Sequence, residues 1–260
     1  MRLVVAPRYQ VLNRGLRKVS QLEVTPSSGG SIHYRVRCFD TIALGLFFFA
    51  VSVVLSAGAV VSSEELQIAR LKYSGGGDWY NDPSIIPNLC TEINARTSIR
   101  AKKEQAVVAV SDDELFRYPF IFLTGHGNIS FTDSEAERLR DYLTNGGFLY
   151  SDDDYGMDKH FRREIKKVFP DKELVEIPFD HKIYHIFYDF SNGLPKIHKH
   201  DGGPPKGYGI FNEGRMVVFY TYETNISDGW ADPEVHKDPP EKREAAFRMG
   251  INIVIYALTH

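Results

Sequence analysis

The chain has 260 residues, of which 43% are hydrophobic and 25% charged, a composition that excludes a disordered or fibrous polymer. Its 31 Lys and Arg stand against 34 Asp and Glu, leaving a formal charge of −3 and a pI near 6.3. A whole-chain positive field of the kind a phosphate-backbone binder needs is therefore missing, and no nucleic-acid partner is expected.

In chain order, residues 1–40 carry seven basic residues (Arg2, Arg8, Arg14, Arg17, Lys18, Arg35 and Arg37) and only two acids, Glu23 and Asp40. This stretch reads as a basic, disordered cytoplasmic leader; a translation start nearer Val36 would leave a leader of ordinary length. Residues 41–61 contain no charge. An uncharged run of about 20 residues is long enough to cross a bilayer, and the Lys/Arg excess before it keeps that side in the cytoplasm. Ser56-Ala57-Gly58-Ala59 supplies a small-x-small site, so a signal peptide cleaved after Ala59 is expected, with a retained transmembrane anchor as the alternative. Residues 62–260 are then expected to form a single extracytoplasmic domain, periplasmic or tethered to the inner membrane through 41–61. Subtracting the leader's seven basic and two acidic residues leaves 24 and 32 in the exported part, a net −8. Cys90 is its only cysteine, so no internal disulfide is expected.

Within that domain, 66–73 alternates like a strand and is broken by Ser74-Gly75-Gly76-Gly77-Asp78. Asp82 as N-cap and Pro83 at the first helical position predict a helix to about Arg96, with Ile85, Ile86, Leu89 and Ile93 on one face. A second strand lies between 98 and 110. The apolar run 118–123 reads as a strand buried on both faces, ending at Thr124-Gly125-His126-Gly127. Thr132 or Asp133 caps a helix closed by Asn145-Gly146-Gly147; 148–150 is a fourth strand, stopped by Ser151-Asp152-Asp153-Asp154; 158–169 is again helical. Beyond Pro170 the pattern changes to a hairpin, 208–212 and 215–222 around Glu213-Gly214, a long loop at 192–209, and a closing helix over 241–258. Repeated strand–helix alternation predicts an α/β fold with a mostly parallel, doubly wound sheet.

In a flavodoxin-like order the carboxyl ends of strands one, three and four meet at the ligand crevice. That gathers the turns 74–79, 124–128 and 151–155. The candidate ligand-binding residues are Ser74, Gly75, Gly76, Asp78, Trp79, Gly125, His126, Gly127, Asp152, Asp153, Asp154, His185 and Trp230; the candidate catalytic residues are His126, Asp152 and Asp153. His126, bent out between glycines, suits a base, a ligand or a donor. Three adjacent carboxylates repel one another, and one of them is expected to cap the following turn. No metal-ligand spacing such as His-Glu-x-x-His occurs, so no metal or other cofactor is assigned; a site joining two of these Asp with His126 or His185 is the alternative. His198 and His200 read as a solvated loop, and the Gly-rich turn at 74–77 as a plain turn rather than a phosphate cradle.

Several blocks in fixed order resemble the uncharacterised bacterial family catalogued as domain of unknown function 4159. They are the stretch Tyr73 to Tyr80, Arg117-Tyr118-Pro119-Phe120 through Gly127, Gly146-Gly147-Phe148-Leu149 with Asp152-Asp153, Phe179-Asp180-His181 through Tyr184-His185, and Gly229-Trp230. The resemblance covers about 68–258 and implies a fold similar to the class I glutamine amidotransferases, with no established activity. Those enzymes carry a nucleophilic Cys on a sharp turn after a strand; the corresponding turn here, 150–154, has none, and Cys90 falls inside a predicted helix. Thiolate-dependent glutamine hydrolysis is excluded.

The preferred expectation is a non-catalytic binding or interaction domain for a small polar ligand or an envelope protein. The alternative is a metal-assisted or His/Asp-dependent hydrolase acting on a small polar or glycan substrate.

Overall fold

The computed structural model describes residues 65–260. The expectations for 1–40 and 41–61 lie outside the described residues, among which no helix is long and apolar enough to cross a membrane. The elements in chain order are β1 (Ala69–Lys72), α1 (Ile85–Arg96), β2 (Ala106–Ala109), β3 (Phe120–Leu123), α2 (Asp133–Thr144), β4 (Phe148–Asp152), α3 (Asp158–Val168), β5 (Val175–Glu176), β6 (Lys206–Asn212), β7 (Arg215–Tyr222), α4 (Pro233–His236) and α5 (Pro240–Thr259). They form an α/β fold around one seven-stranded sheet of order β2-β1-β3-β4-β7-β6-β5. The first five strands in that order are parallel; β6 pairs antiparallel with β7, and β5 antiparallel with β6.

Strand β3, Phe-Ile-Phe-Leu, is buried along its whole length because β1 and β4 flank it and helices cover both faces. Helices α1 and α5 pack on the face carrying Ile68, Phe120, Phe122, Phe148, Tyr150 and Phe219. Helices α2 and α3 cover the other face, against Leu71, Ile121, Leu123, Leu149 and Val218. Each of these fully buried side chains contributes about 1.5–3 kcal/mol, so the sheet registers are held from both sides.

Local chemistry fixes the helix starts. Thr132 and Glu135 form a reciprocal capping box at α2: the Thr132 hydroxyl accepts from the Glu135 N–H at 3.2 Å, and the Glu135 carboxylate from the Thr132 N–H at 2.8 Å. The start of α1 differs from the sequence expectation. Its N-cap is Ser84, and Asp82 sits before it in the left-handed region with φ 44°. The cause is Arg70, whose buried guanidinium donates to the carbonyls of Trp79 (3.0 Å), Asn81 (2.8 Å) and Asp82 (3.1 Å) and holds the incoming chain in a bend. Asp82 is thereby released from capping.

Other departures are smaller. Strand β1 is only four residues, with Leu66 making an isolated bridge to Ala101, and β4 runs two residues beyond Tyr150 because β7 pairs with it to Asp152. The short edge strand β5 was not visible in the sequence, and β6 starts at Lys206 inside the expected loop. The hairpin does more than add an edge: β7 is the fifth parallel strand, so its carboxyl end lies beside that of β4.

Candidate functional site

The polar turns after β1, β3 and β4 do meet. The first and second are tied directly: Gly77 N–H donates to Asn128 O at 3.0 Å, Asp78 N–H to His126 O at 3.3 Å, and Ser130 N–H to Ser74 O at 2.7 Å. Gly125 is required here, with φ 133° and a position where a Cβ would lie 2.4 Å from the Tyr73 hydroxyl. That hydroxyl donates to Thr124 O at 3.1 Å, so the turn is pinned from beneath. His126 is thus presented outward with its side chain 54% exposed.

One carboxylate grips His126 twice. Asp78 accepts from the His126 N–H through Oδ1 and lies 3.1 Å from Nδ1 through Oδ2. The Asp154 carboxylate is 3.5 Å from the same Nδ1. Nε2 makes no hydrogen bond among the described residues, and His126 lines a cleft of about 390 Å³ together with Asp154, Tyr155, His198, His200, Asn225, Asp228 and His236.

The three adjacent Asp separate in role. Asp152 accepts from the Ser227 N–H (2.6 Å) and hydroxyl (2.7 Å) and from the Thr221 hydroxyl, tying β4 to β7 and the loop after it. Asp153 accepts from the Met157 N–H at 2.9 Å and so caps the turn into α3, the role expected for one of the three. Only Asp154 reaches the cleft, where Asn81 and Asn225 donate to its two oxygens. Asp152 and Asp153, the sequence candidates for catalysis, do not line the cleft, and their carboxylates are engaged by the segments they hold. Burial, above all, pushes Asp152 up to about 6 and Asp153 up to about 7.

Asp154 titrates well above the ordinary carboxylate range. Burial is the largest cause, followed by the charges of Asp228, Asp152 and Asp82. Burial pushes Asp228 the same way, but the hydrogen bond from His198, the nearby His236 and the Asn225 amide outweigh it and hold Asp228 below that range. Asn225, only 4% exposed, links the pair, donating to Asp154 at 2.8 Å and to Asp228 at 2.7 Å while His200 engages its oxygen.

His198 lies 2.9 Å from Asp228 and His236 2.9 Å from Asp82. The Asp228 hydrogen bond, opposed by burial and aided by Asp238, raises the His198 pKa. His200 is held low, first by burial. The expectation of a solvated His198–His200 loop is corrected: the His200 side chain is 3% exposed and both rings line the cleft, because backbone bonds from Ile197 and His198 to Thr224 O draw the segment inward.

Several sequence candidates lie elsewhere. Ser74, Gly75 and Gly76 form a turn braced by Asn128, whose amide donates to Gly75 O at 3.1 Å, and they do not line the cleft. Nor do Trp79 and Gly127; Trp79 instead contributes its carbonyl to Arg70 and its ring to Lys72. Trp230 is buried in the core with Nε1 donating to Ala246 O at 2.8 Å. His185 is clamped between Asp189 and Phe179 O, both at 2.6 Å, and the metal alternative built on it has no geometric basis.

Asp82, Asn225, Asp228 and His236 were missed. Three of them come from the loop after β7 and from α4, whose approach no spacing rule announces; Asp82 was assigned to a cap. Cys90 is buried in α1, and that burial pushes its thiol up to about 12.

A family model described as "Domain of unknown function (DUF4159)" matches residues 67–258. No curated protein matches the chain.

Proposed function

We propose, for a chain that belongs to this family of unknown function, that the cleft hydrolyses a small polar or glycan substrate, with His126 as general base oriented by Asp78. The observation that carries this reading is the division of labour at one ring that lines the cleft: Nδ1 is held at 3.1 Å by Asp78, while Nε2 makes no hydrogen bond among the described residues. A base needs a fixed tautomer on one side and a free lone pair on the other. In the step, the oxygen of a water forms the new bond to the substrate's electrophilic atom, that atom's bond to the leaving group breaks, and the water's proton passes to Nε2. The imidazolium, stabilised by Asp78, then returns that proton to the leaving group.

His126→Asn is expected to abolish turnover while leaving the unfolding midpoint near that of the wild type. A panel of chromogenic esters, phosphoesters and glycosides on the purified full chain provides the assay. Turnover that survives in His126→Asn would refute the role of this residue. The second reading, a binding domain without turnover, is favoured by the absence of any Ser, Thr or Cys among the residues lining the cleft. It would show as a ligand-dependent thermal shift with no hydrolysis across the panel.

The finer fold assignment belongs to the same proposal. The chain is flavodoxin-like and similar to the glutamine amidotransferases; the support is the parallel order β2-β1-β3-β4-β7 with helices on both faces. Its place of action is outside the cytoplasm, reached through residues 41–61, and the support is the charge asymmetry around that uncharged run.

A further inference from the structure

The same cleft gathers a second cluster, of imidazoles and carboxylates. His198 and His236 approach the same carboxylate: His198 Nδ1 is 2.9 Å from Asp228 Oδ2, and His236 Nε2 is 3.8 Å from Asp228 Oδ1. One ligating atom from each of the three lies within 4.8 Å of the others. Donors around a tetrahedral ion with bonds of about 2.1 Å stand roughly 3.4 Å apart. The two measured spacings, one to each oxygen of Asp228, bracket that value, and no pair of the three ligating atoms is more than 4.8 Å apart.

We propose that His198, His236 and Asp228 bind a divalent first-row transition metal of the zinc class. Two independent observations point the same way. First, the outer nitrogen of His198 lies 3.2 Å from both oxygens of Asp238. A carboxylate behind the ring is the partner that metal-bound imidazoles ordinarily take, because it fixes the tautomer and orientation of the liganding nitrogen. Second, Asp82, Asp154 and Asp228 form another set whose ligating oxygens lie within 4.8 Å of one another, and Asp82 is also 2.9 Å from His236. An oxygen ligand is thus available beside the imidazoles, and the cleft leaves room for water.

Charge supports the same assignment. Four carboxylates, Asp82, Asp154, Asp228 and Asp238, surround two imidazoles. A divalent ion placed among them offsets two of the four carboxylate charges without any proton on the rings. Two imidazole nitrogens with carboxylate oxygen favour zinc-like ions over calcium or magnesium, which take all-oxygen shells. Such an ion supplies Lewis acidity and an acidified water. The site does not depend on the His126 reading: metal is read by binding and hydrolysis by turnover.

The test uses the purified full chain, stripped with chelator and then equilibrated with Zn²⁺ and, separately, with Co²⁺. About one tightly held equivalent of zinc is expected by elemental analysis, and Co²⁺ should give the visible absorption of a low-coordinate ion. His236→Gln, on a partly exposed position of α4, is expected to weaken binding roughly ten-fold or more with its circular dichroism unchanged. His198→Gln gives the same reading should that variant fail to fold. Well under one equivalent in the wild type, or a smaller loss in the variant, overturns the assignment.

Discussion

Arg70→Met is the perturbation that most directly tests how the loop before α1 is held. Arg70 is 1% exposed, lies over the Phe122 ring at 5.7 Å, and donates to the carbonyls of Trp79, Asn81 and Asp82 and to the Gln105 side chain at 3.1 Å. Burial lowers its pKa to about 10, so the guanidinium is charged at neutral pH. Methionine keeps an apolar stem over Phe122 and removes every donor. Each stranded acceptor costs about 1–3 kcal/mol, but the loop is partly solvated and the desolvation cost of the cation is recovered, so a net loss of about 3–5 kcal/mol is expected. Against a total of about 5–15 kcal/mol the variant still folds. Urea unfolding of the full chain gives the magnitude. Asn81 and Asp82, which reach Asp154 and His236, ride on this loop, so Zn²⁺ affinity should fall with stability. Arg70→Lys should lie between the two, since an ammonium matches three carbonyls less well than the planar fork. A midpoint change equivalent to under about 1 kcal/mol in Arg70→Met would refute the clamp.

Asp154→Asn should stabilise the chelated protein above about pH 4: an acid whose pKa is raised on folding contributes fully only below its unfolded value and loses stability as pH rises toward the folded one, at up to about 1.4 kcal/mol per pH unit. Asp228, Asp152, Asp82, Asn81, Asn225, His126 and Arg70 are the groups acting on it. Urea midpoints at pH 5 and 7 read the effect, and an equal difference at both would contradict it. Gly125→Ala should cost about 1–3 kcal/mol, because its Cβ would drive into the Tyr73 hydroxyl and lie 3.0 Å from Asp78 Oδ1; a wild-type thermal midpoint would show that the turn yields. Cys90 should resist alkylation in the native chain and react only on unfolding, followed by peptide mapping; rapid native modification would place the thiol outside the core.

How far the site was legible depended on where each residue stands in the chain. His126 and Asp78 were readable because glycine-flanked polar residues end apolar strands, and parallel strands deliver their carboxyl ends to one edge. The acidic run 152–154 drew attention as a unit, yet only its third member faces the cleft. Alternation along a strand turns neighbours to opposite faces; Asp153 is claimed by a local cap at Met157, whereas the loop that claims Asp152 is distant in sequence. Likewise Asp82 carried the mark of an N-cap, and only the Arg70 bend redirected it to His236. The hairpin was recognised from its Glu-Gly turn, but its second strand's place beside β4, which brings Asn225 and Asp228 to the cleft, was not.

The sequence alone therefore determined the element types, the α/β class, the buried central strand and the glycine-bent histidine, because period, caps and turn residues act within a few positions of one another. Tertiary structure decided which carboxylates are anchors and which line the cleft, and that His198, Asp228 and His236 converge. Those outcomes rest on contacts between residues up to about 75 positions apart, such as Asp152 with Ser227 and Asp154 with Asn225, and no local pattern encodes them.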